Sequence, residues 1–185
     1  MKRLFALSLM LFLLVGCKEA SSNMDQALAM RQQLLKNSCT FCASITADYE
    51  DIIYSFKLNC KADPAGDIQF AVVMPEEISG ITGIVGAKGG KLTFDDKELA
   101  FPLLADGLIS PVSAPWLFIR SARSGYIKSS GTADNETRIT INDNYASEAL
   151  QVDIYLDQSG IPTHADLYWQ GRRILSMDIT DFVYV

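Results

Sequence analysis

Histidine is nearly missing from this chain: His164 is the one residue of its kind in 185. That removes most histidine-dependent catalysis and most transition-metal chemistry, which use imidazole as base or ligand. Cations are scarce as well. Sixteen Lys and Arg face 22 Asp and Glu, for a formal net charge of −6. Nucleic-acid phosphates are held by Lys and Arg, so nucleic acid is excluded as a partner. No apolar run reaches the roughly 20 residues that cross a bilayer as a helix. No Gly-x-Ser-x-Gly elbow occurs. The glycines at 80, 83, 86, 89 and 90 precede no Gly-Lys-Ser/Thr, so they form no phosphate loop. Asp95-Asp96 and Asp143-Asn144 are acidic turns, short of the oxygens a calcium loop needs. A structural zinc site takes four ligands, and with one cysteine otherwise engaged Cys39, Cys42, Cys60 and His164 are all that remain. Cys39 and Cys42 are expected on opposite faces of a strand, so no zinc site is expected. The chain reads as non-catalytic, with no cofactor and no metal.

What is present begins at the N-terminus. Lys2 and Arg3 precede an apolar run from Leu4 to Val15, the pattern of a secretory signal peptide. Leu14-Val15-Gly16-Cys17 resembles the lipobox of bacterial lipoproteins. The resemblance implies a diacylglycerol on the Cys17 sulfur, cleavage after Gly16, and an acyl chain such as palmitate on the new amine. It places the protein in the cell envelope, lipid-anchored on the extracytoplasmic side of a membrane. The expected division is a signal peptide at 1–16, the lipidated cysteine and a short tether at 17–23, and a single domain at 24–185. Loss of Lys2 and Arg3 moves the formal charge from −6 to −8. An acidic body gains no hold on anionic lipid, so the acyl chains alone must do the anchoring.

Asn23 and Gln26 resemble a capping box, and Met24 to Lys36 are good helix formers. Met24, Ala27, Leu28, Leu34 and Leu35 are predicted to share the buried face. The pattern then changes to period two. Phe41, Ala43, Ile45 and Ala47 alternate with polar neighbours, as do Ile52, Tyr54, Phe56 and Leu58. Further strands are expected at 68–74, 80–87, 91–94, 98–101, 126–130, 137–141, 150–156, 164–170 and 174–185. Ser113, Pro115 and Gly125 bracket a second helix, whose Trp116, Leu117, Phe118 and Ile119 are apolar nearly all round. The predicted fold is α+β: a curved antiparallel meander of about ten strands, an open half-barrel with both helices over its concave face. Phe41, Ile45, Tyr54, Phe56, Phe70, Val72, Trp116 and Phe118 are the expected lining for a hydrophobic ligand.

The first hairpin yields a sharper expectation. A two-residue turn at Tyr49-Glu50 places Asp48 opposite Asp51 and, further out, Cys39 opposite Cys60. Outside the cytoplasm such a pair persists as a disulfide, worth about 3 kcal/mol in the entropic account. Cys42 falls on the other face. A four-residue turn would instead set Phe41 opposite Cys60.

Lipobox, N-terminal helix, meander, inserted helix and closing hairpins together resemble the LolA/LolB-like superfamily of lipoprotein carriers. Val72-Val73-Met74-Pro75-Glu76-Glu77-Ile78 and Leu92-Thr93-Phe94-Asp95-Asp96 are similar to its strand, proline, strand and turn portion. In layout the chain is nearest the GerS-type germination lipoproteins. The carrier resemblance implies a membrane-anchored protein whose half-barrel holds a lipid or acyl chain. The GerS-type resemblance implies an alternative, a partner-binding lipoprotein that supports a cell-wall enzyme in spore formation or germination.

Overall fold

The structure is a computed structural model that describes residues 16–64, 66–105, 108–144 and 149–185, with backbone alone for 16–21, 104–105 and 108. The signal-peptide residues 1–15 lie outside the described residues. Helix α1 spans Gly16–Lys36 and α2 spans Ala114–Ser124. The strands are β1 Cys39–Asp48, β2 Ile53–Ala62, β3 Ile68–Met74, β4 Thr82–Gly86, β5 Gly89–Phe94 and β6 Lys97–Phe101. The short β7 Leu104–Ala105 and β8 Leu108–Ile109 follow, then β9 Tyr126–Ala133, β10 Glu136–Asn142, β11 Gln151–Leu156, β12 Pro162–Trp169 and β13 Arg172–Tyr184.

Eleven strands form one open antiparallel sheet in the order β6-β5-β4-β3-β2-β1-β13-β12-β11-β10-β9. It is curved and unclosed, the α+β half-barrel expected from the alternation. The sheet extends outward from the β1–β13 pair, so the first and last strands meet in mid-sheet. Among the described residues no helix is long and apolar enough to cross a membrane.

Alternation makes one face of the sheet dry. Phe41, Ala43, Ile45 and Ala47 of β1 are buried, as are Ile139 and Ile141 of β10 and Val152, Ile154 and Leu156 of β11. Both helices pack on this concave face. α1 lies against β9 and β10, and α2 against β2, β10, β11 and β12. Trp116, Leu117, Phe118 and Ile119 are buried as expected. Burying such side chains contributes about 1.5–3 kcal/mol each. Ser113 holds the N-cap position without a side-chain cap bond, so Pro115 in the first turn is what starts α2.

The face that α1 buries differs from the expected one. Ala27, Met30 and Leu34 are inside, whereas Leu28 and Leu35 are exposed. Polar side chains set this rotation. Thr137 Oγ1 bonds Gln26 Oε1 at 2.6 Å and Asn23 Oδ1 at 3.2 Å, and Asn23 Nδ2 donates to Thr132 Oγ1 at 3.1 Å. Arg31 donates from Nε to the Ala122 carbonyl at 2.8 Å and from Nη2 to the Gly125 carbonyl at 2.7 Å. Asn23 and Gln26 therefore tie α1 to the sheet and do not cap it. The helix runs on to Gly16, through the segment read as a tether.

The first hairpin also departs from expectation. Asp48 pairs with Ile53, leaving residues 49–52 as a four-residue turn. Tyr49 N–H donates to the Ile52 carbonyl at 3.0 Å and Asp51 N–H to the Tyr49 carbonyl at 2.9 Å, with Glu50 at φ 70. Cys39 then faces Ala62, and Cys60 faces Phe41. Cys39 and Cys60 share a face one pair apart, about 7 Å between Cβ atoms on such a diagonal. A disulfide spans about 3.5–4.5 Å. The expected bond is absent: Cys39, Cys42 and Cys60 are buried free thiols.

Candidate functional site

The expected ligand lining comes together, but as solid core. Phe41, Ile45, Phe70, Val72, Trp116 and Phe118 are all buried in one cluster. The Phe41 ring stands edge-on to Phe118 at 6.0 Å and stacks on Phe182 at 5.6 Å. Trp116 Nε1 donates to the Gly66 carbonyl at 2.9 Å. These six residues, expected among the lining of a ligand cavity, pack against one another and the helices instead.

Exposure returns at one corner of the concave face. One cross-strand row runs Phe41, Cys60, Phe70, Gly83, Leu92, Leu99 from β1 to β6. Along it relative exposure goes from 3% at Phe41 and 4% at Phe70 to 66% at Leu99. Gly83 is a glycine because the Phe70 ring lies on it: a Cβ there would stand 2.5 Å from Phe70 Cζ. The Phe101 ring covers Gly90 in the same way. In step along their strands, Phe94 is 53% exposed and Tyr54 is 43% exposed. β2 starts, β5 ends and β6 starts at this corner, so Tyr54, Phe94 and Leu99 are at one end of the sheet. Phe56 beside them is half-buried. Of the expected lining, Tyr54 and Phe56 alone belong to this open corner.

Tyr49 was read only as a turn residue, yet it closes the corner's inner side. Its hydroxyl donates to the Ile109 carbonyl and its ring meets Tyr54 at 6.2 Å. Burial, with Tyr54 adding to it, pushes the Tyr49 hydroxyl up to about 12. It stays a neutral donor and staples the β7–β8 segment over β1 and β2. An aromatic next to a turn is the only sequence signal it gives.

The convex face carries the polar side chains. Asp153 and Asp166 lie directly opposite each other on β11 and β12, both buried. Arg138 pairs with Asp153, and Arg173 Nη1 lies 3.3 Å from Asp166 Oδ1. His164 sits between two carboxylates: Nδ1 donates to Asp178 Oδ1 at 2.7 Å, and Nε2 lies 3.2 Å from Asp166 Oδ1. The Ser176 hydroxyl is 3.3 Å from the same Nε2. Serine, histidine and aspartate thus meet, but not as a nucleophile and its base. Asp166 lies against the nitrogen that would take the serine proton, and two carboxylates favour the charged form of the ring. The hydrogen bond to Asp166 raises the His164 pKa against burial, with help from Asp178. Burial pushes the Asp166 carboxyl up, but His164, Ser176 and Arg173 together bring it below its usual value.

The sign of the resulting pH dependence is fixed. A histidine whose pKa is higher folded than unfolded adds stability that is complete below about pH 6.5 and is lost as pH rises through the folded value. Denaturation midpoints should therefore fall as pH rises above about 6.5. His164→Asn should flatten that slope. Equal slopes in urea titrations of the parent and the variant would contradict the assignment.

The sequence matches no protein-family model and no curated protein. Solved structures are similar in backbone. An uncharacterized conserved protein from Thermus thermophilus is 10% identical, covers 88% of this chain and 87% of its own, and has a TM-score of 0.48. A LolA superfamily protein from Nitrosomonas europaea is 9% identical over 84% of this chain and 92% of its own, with a TM-score of 0.43. The lipoprotein LppX from Mycobacterium tuberculosis is 13% identical over 87% of this chain and 93% of its own, with a TM-score of 0.43. A LolA superfamily protein is thus among the solved structures similar in backbone. At these identities the likeness concerns the path of the backbone and not ligand or partner.

Proposed function

We propose that this protein is a non-catalytic, extracytoplasmic lipoprotein, anchored through lipidated Cys17, that binds an acyl chain or similar apolar ligand at the open corner of its half-barrel. One observation carries the reading. The dry concave face runs without interruption from the buried Phe41 to the exposed Leu99, with Phe94 and Tyr54 on the same face. Apolar surface continuous with a core, at the mouth of a curved sheet, favours an apolar ligand. The lipobox supports the location.

The test is binding of a fluorescent fatty acid to the full chain and to Leu99→Asp. Burying one leucine-sized group against ligand is worth about 1.5–3 kcal/mol, so the variant should bind about tenfold more weakly or worse. Leu99 is two-thirds exposed, so its melting temperature should stay close to the parent's. Equal binding by both proteins would refute the site. No binding by the parent would refute the ligand class and leave the partner-binding lipoprotein, engaging a cell-wall enzyme, as the better account.

A further inference from the structure

The convex face, turned away from both helices, holds a groove of about 750 Å³ across β13, β1, β2, β3, β4 and β5. Its floor is regular and mixes polar side chains with apolar ones such as Ala71 and Ile84. Thr40 faces Lys61 and Cys42 faces Asn59 across the β1–β2 ladder, and Lys61 faces Gln69 across β2–β3. Two opposite charges stand over that floor. Lys61 is exposed and has no ion pair among the described residues.

Asp181 is placed by a bulge. Thr40 pairs with Val183 but Cys42 pairs with Thr180, so Asp181 and Phe182 together oppose Phe41. Phe182 takes the concave side, stacking on Phe41. Asp181, with φ +55, lines the groove on the other side. Bulges of this kind re-aim a side chain and recur beside binding sites. A non-glycine residue with positive φ is costly where nothing requires it. The Asp181 carboxylate accepts from its neighbour Thr180 Oγ1 at 3.5 Å and has no cation partner among the described residues.

Lys61 and Asp181 lie on the strands flanking β1, whose backbones are about 10 Å apart at ordinary strand spacing. The lysine stem is flexible and adjusts its reach. A ligand bridging the two carries its own opposite charges within that span. An extended dipeptide, whose amine and carboxylate are about 6–7 Å apart, meets that condition. The Thr40 hydroxyl and Asn59 amide between them suit a peptide bond, which offers one donor and one acceptor. A neutral sugar would leave both charges unanswered. We propose that the convex groove is a binding site for a short peptide with free ends, its amine on Asp181 and its carboxylate on Lys61. This site is on the opposite face from the acyl-chain corner and stands independently of it.

The groove contains its own reporter. Cys42 and Cys60 both border the groove, but Cys42 shares the Thr40 and Asn59 face and is 8% exposed, whereas Cys39 and Cys60 belong to the core cluster. Thiolates are the reactive form. Burial pushes Cys39 up to about 11 and Cys60 higher still. In the folded full chain, iodoacetamide should label Cys42 first, read by peptide mass spectrometry, with Cys39 and Cys60 unlabelled as the control for folding.

Ala-Ala in the millimolar range should slow Cys42 labelling several-fold, and N-acetyl-Ala-Ala-amide, without charged ends, should not. Lys61→Met and Asp181→Asn should each shift the protecting concentration upward by about tenfold or more, as expected for loss of a charged hydrogen bond. Unchanged labelling with Ala-Ala, equal protection by the blocked peptide, or protection that survives both substitutions would each overturn the proposal.

Discussion

Phe118→Ala is expected to lower unfolding stability by about 3–5 kcal/mol, the usual cost of deleting a buried aromatic ring. Phe118 is fully buried on α2 and meets Phe41 edge-on at 6.0 Å. The size of the loss depends on whether neighbours can fill the hole. Here α2 is pinned on both sides. Trp116 Nε1 holds the β2–β3 turn at Gly66, and Arg31 of α1 holds the carbonyls of Ala122 and Gly125. The helix cannot sink toward the sheet without breaking those bonds, so the cavity stays. Phe118→Leu, which keeps most of the volume, should lose much less. Urea titration measures both. A loss below about 1 kcal/mol for the alanine variant would mean that the concave core repacks freely, against the cavity argument.

Arg123→Met should cost about 3 kcal/mol while keeping the aliphatic stem. Arg123 is 8% exposed, and it donates from Nε to the Leu34 carbonyl at 2.9 Å and from Nη1 to the Asp63 carbonyl at 2.8 Å. The first of these carbonyls belongs to the last turn of α1, where helix carbonyls have no partner of their own. The second follows β2. One side chain thus joins α2, the end of α1 and the sheet. Without it two acceptors near the core lose their donor, each at about 1–3 kcal/mol. Burial lowers the Arg123 pKa and nearby Cys39 and Asp63 offset part of it. Lysine should not rescue, because one ammonium cannot reproduce the divergent fork. Hydrogen exchange should show the last turn of α1 opening first in the methionine variant. Unchanged protection there would refute the capping role.

Arg123 also marks where the sequence stops being readable. A cation in the last turn of a helix ordinarily serves that helix's own C-terminus, and Arg123 stands in the last turn of α2. Instead it serves the end of another helix, 89 positions earlier. The strands were legible because alternation is a local signal and one face is buried. The first helix was legible as a helix but not in its rotation. Hydropathy favoured Leu28 and Leu35, and Asn23, Gln26 and Arg31 overruled them through bonds to residues 91 to 114 positions away. The first hairpin shows the same limit at shorter range. Faces survive a two-residue change in turn length, but partners do not, and so the expected cysteine pair was lost while every apolar residue kept its side. At the candidate site the aromatics were identifiable as concave-facing. Which of them line open space was not, because that depends on where α2 and the residues after β6 come to rest. β7 and β8, two residues each, carry no period at all.

The helical start at Gly16 has a mechanical consequence. Cys17 stands six positions before Asn23, where α1 is first bonded to the sheet, and a helix rises about 1.5 Å per residue. Cys17 therefore stands about 9 Å along the helix axis from that attachment, on a post and not on a leash. A leash of that many residues would let the body roam over a hemisphere of about 20 Å. A post restricts it to tilting. Grafted to a surface at Cys17, the body would present the same flank to that surface at all times, and any exchange with a second surface would require the other party to make the journey.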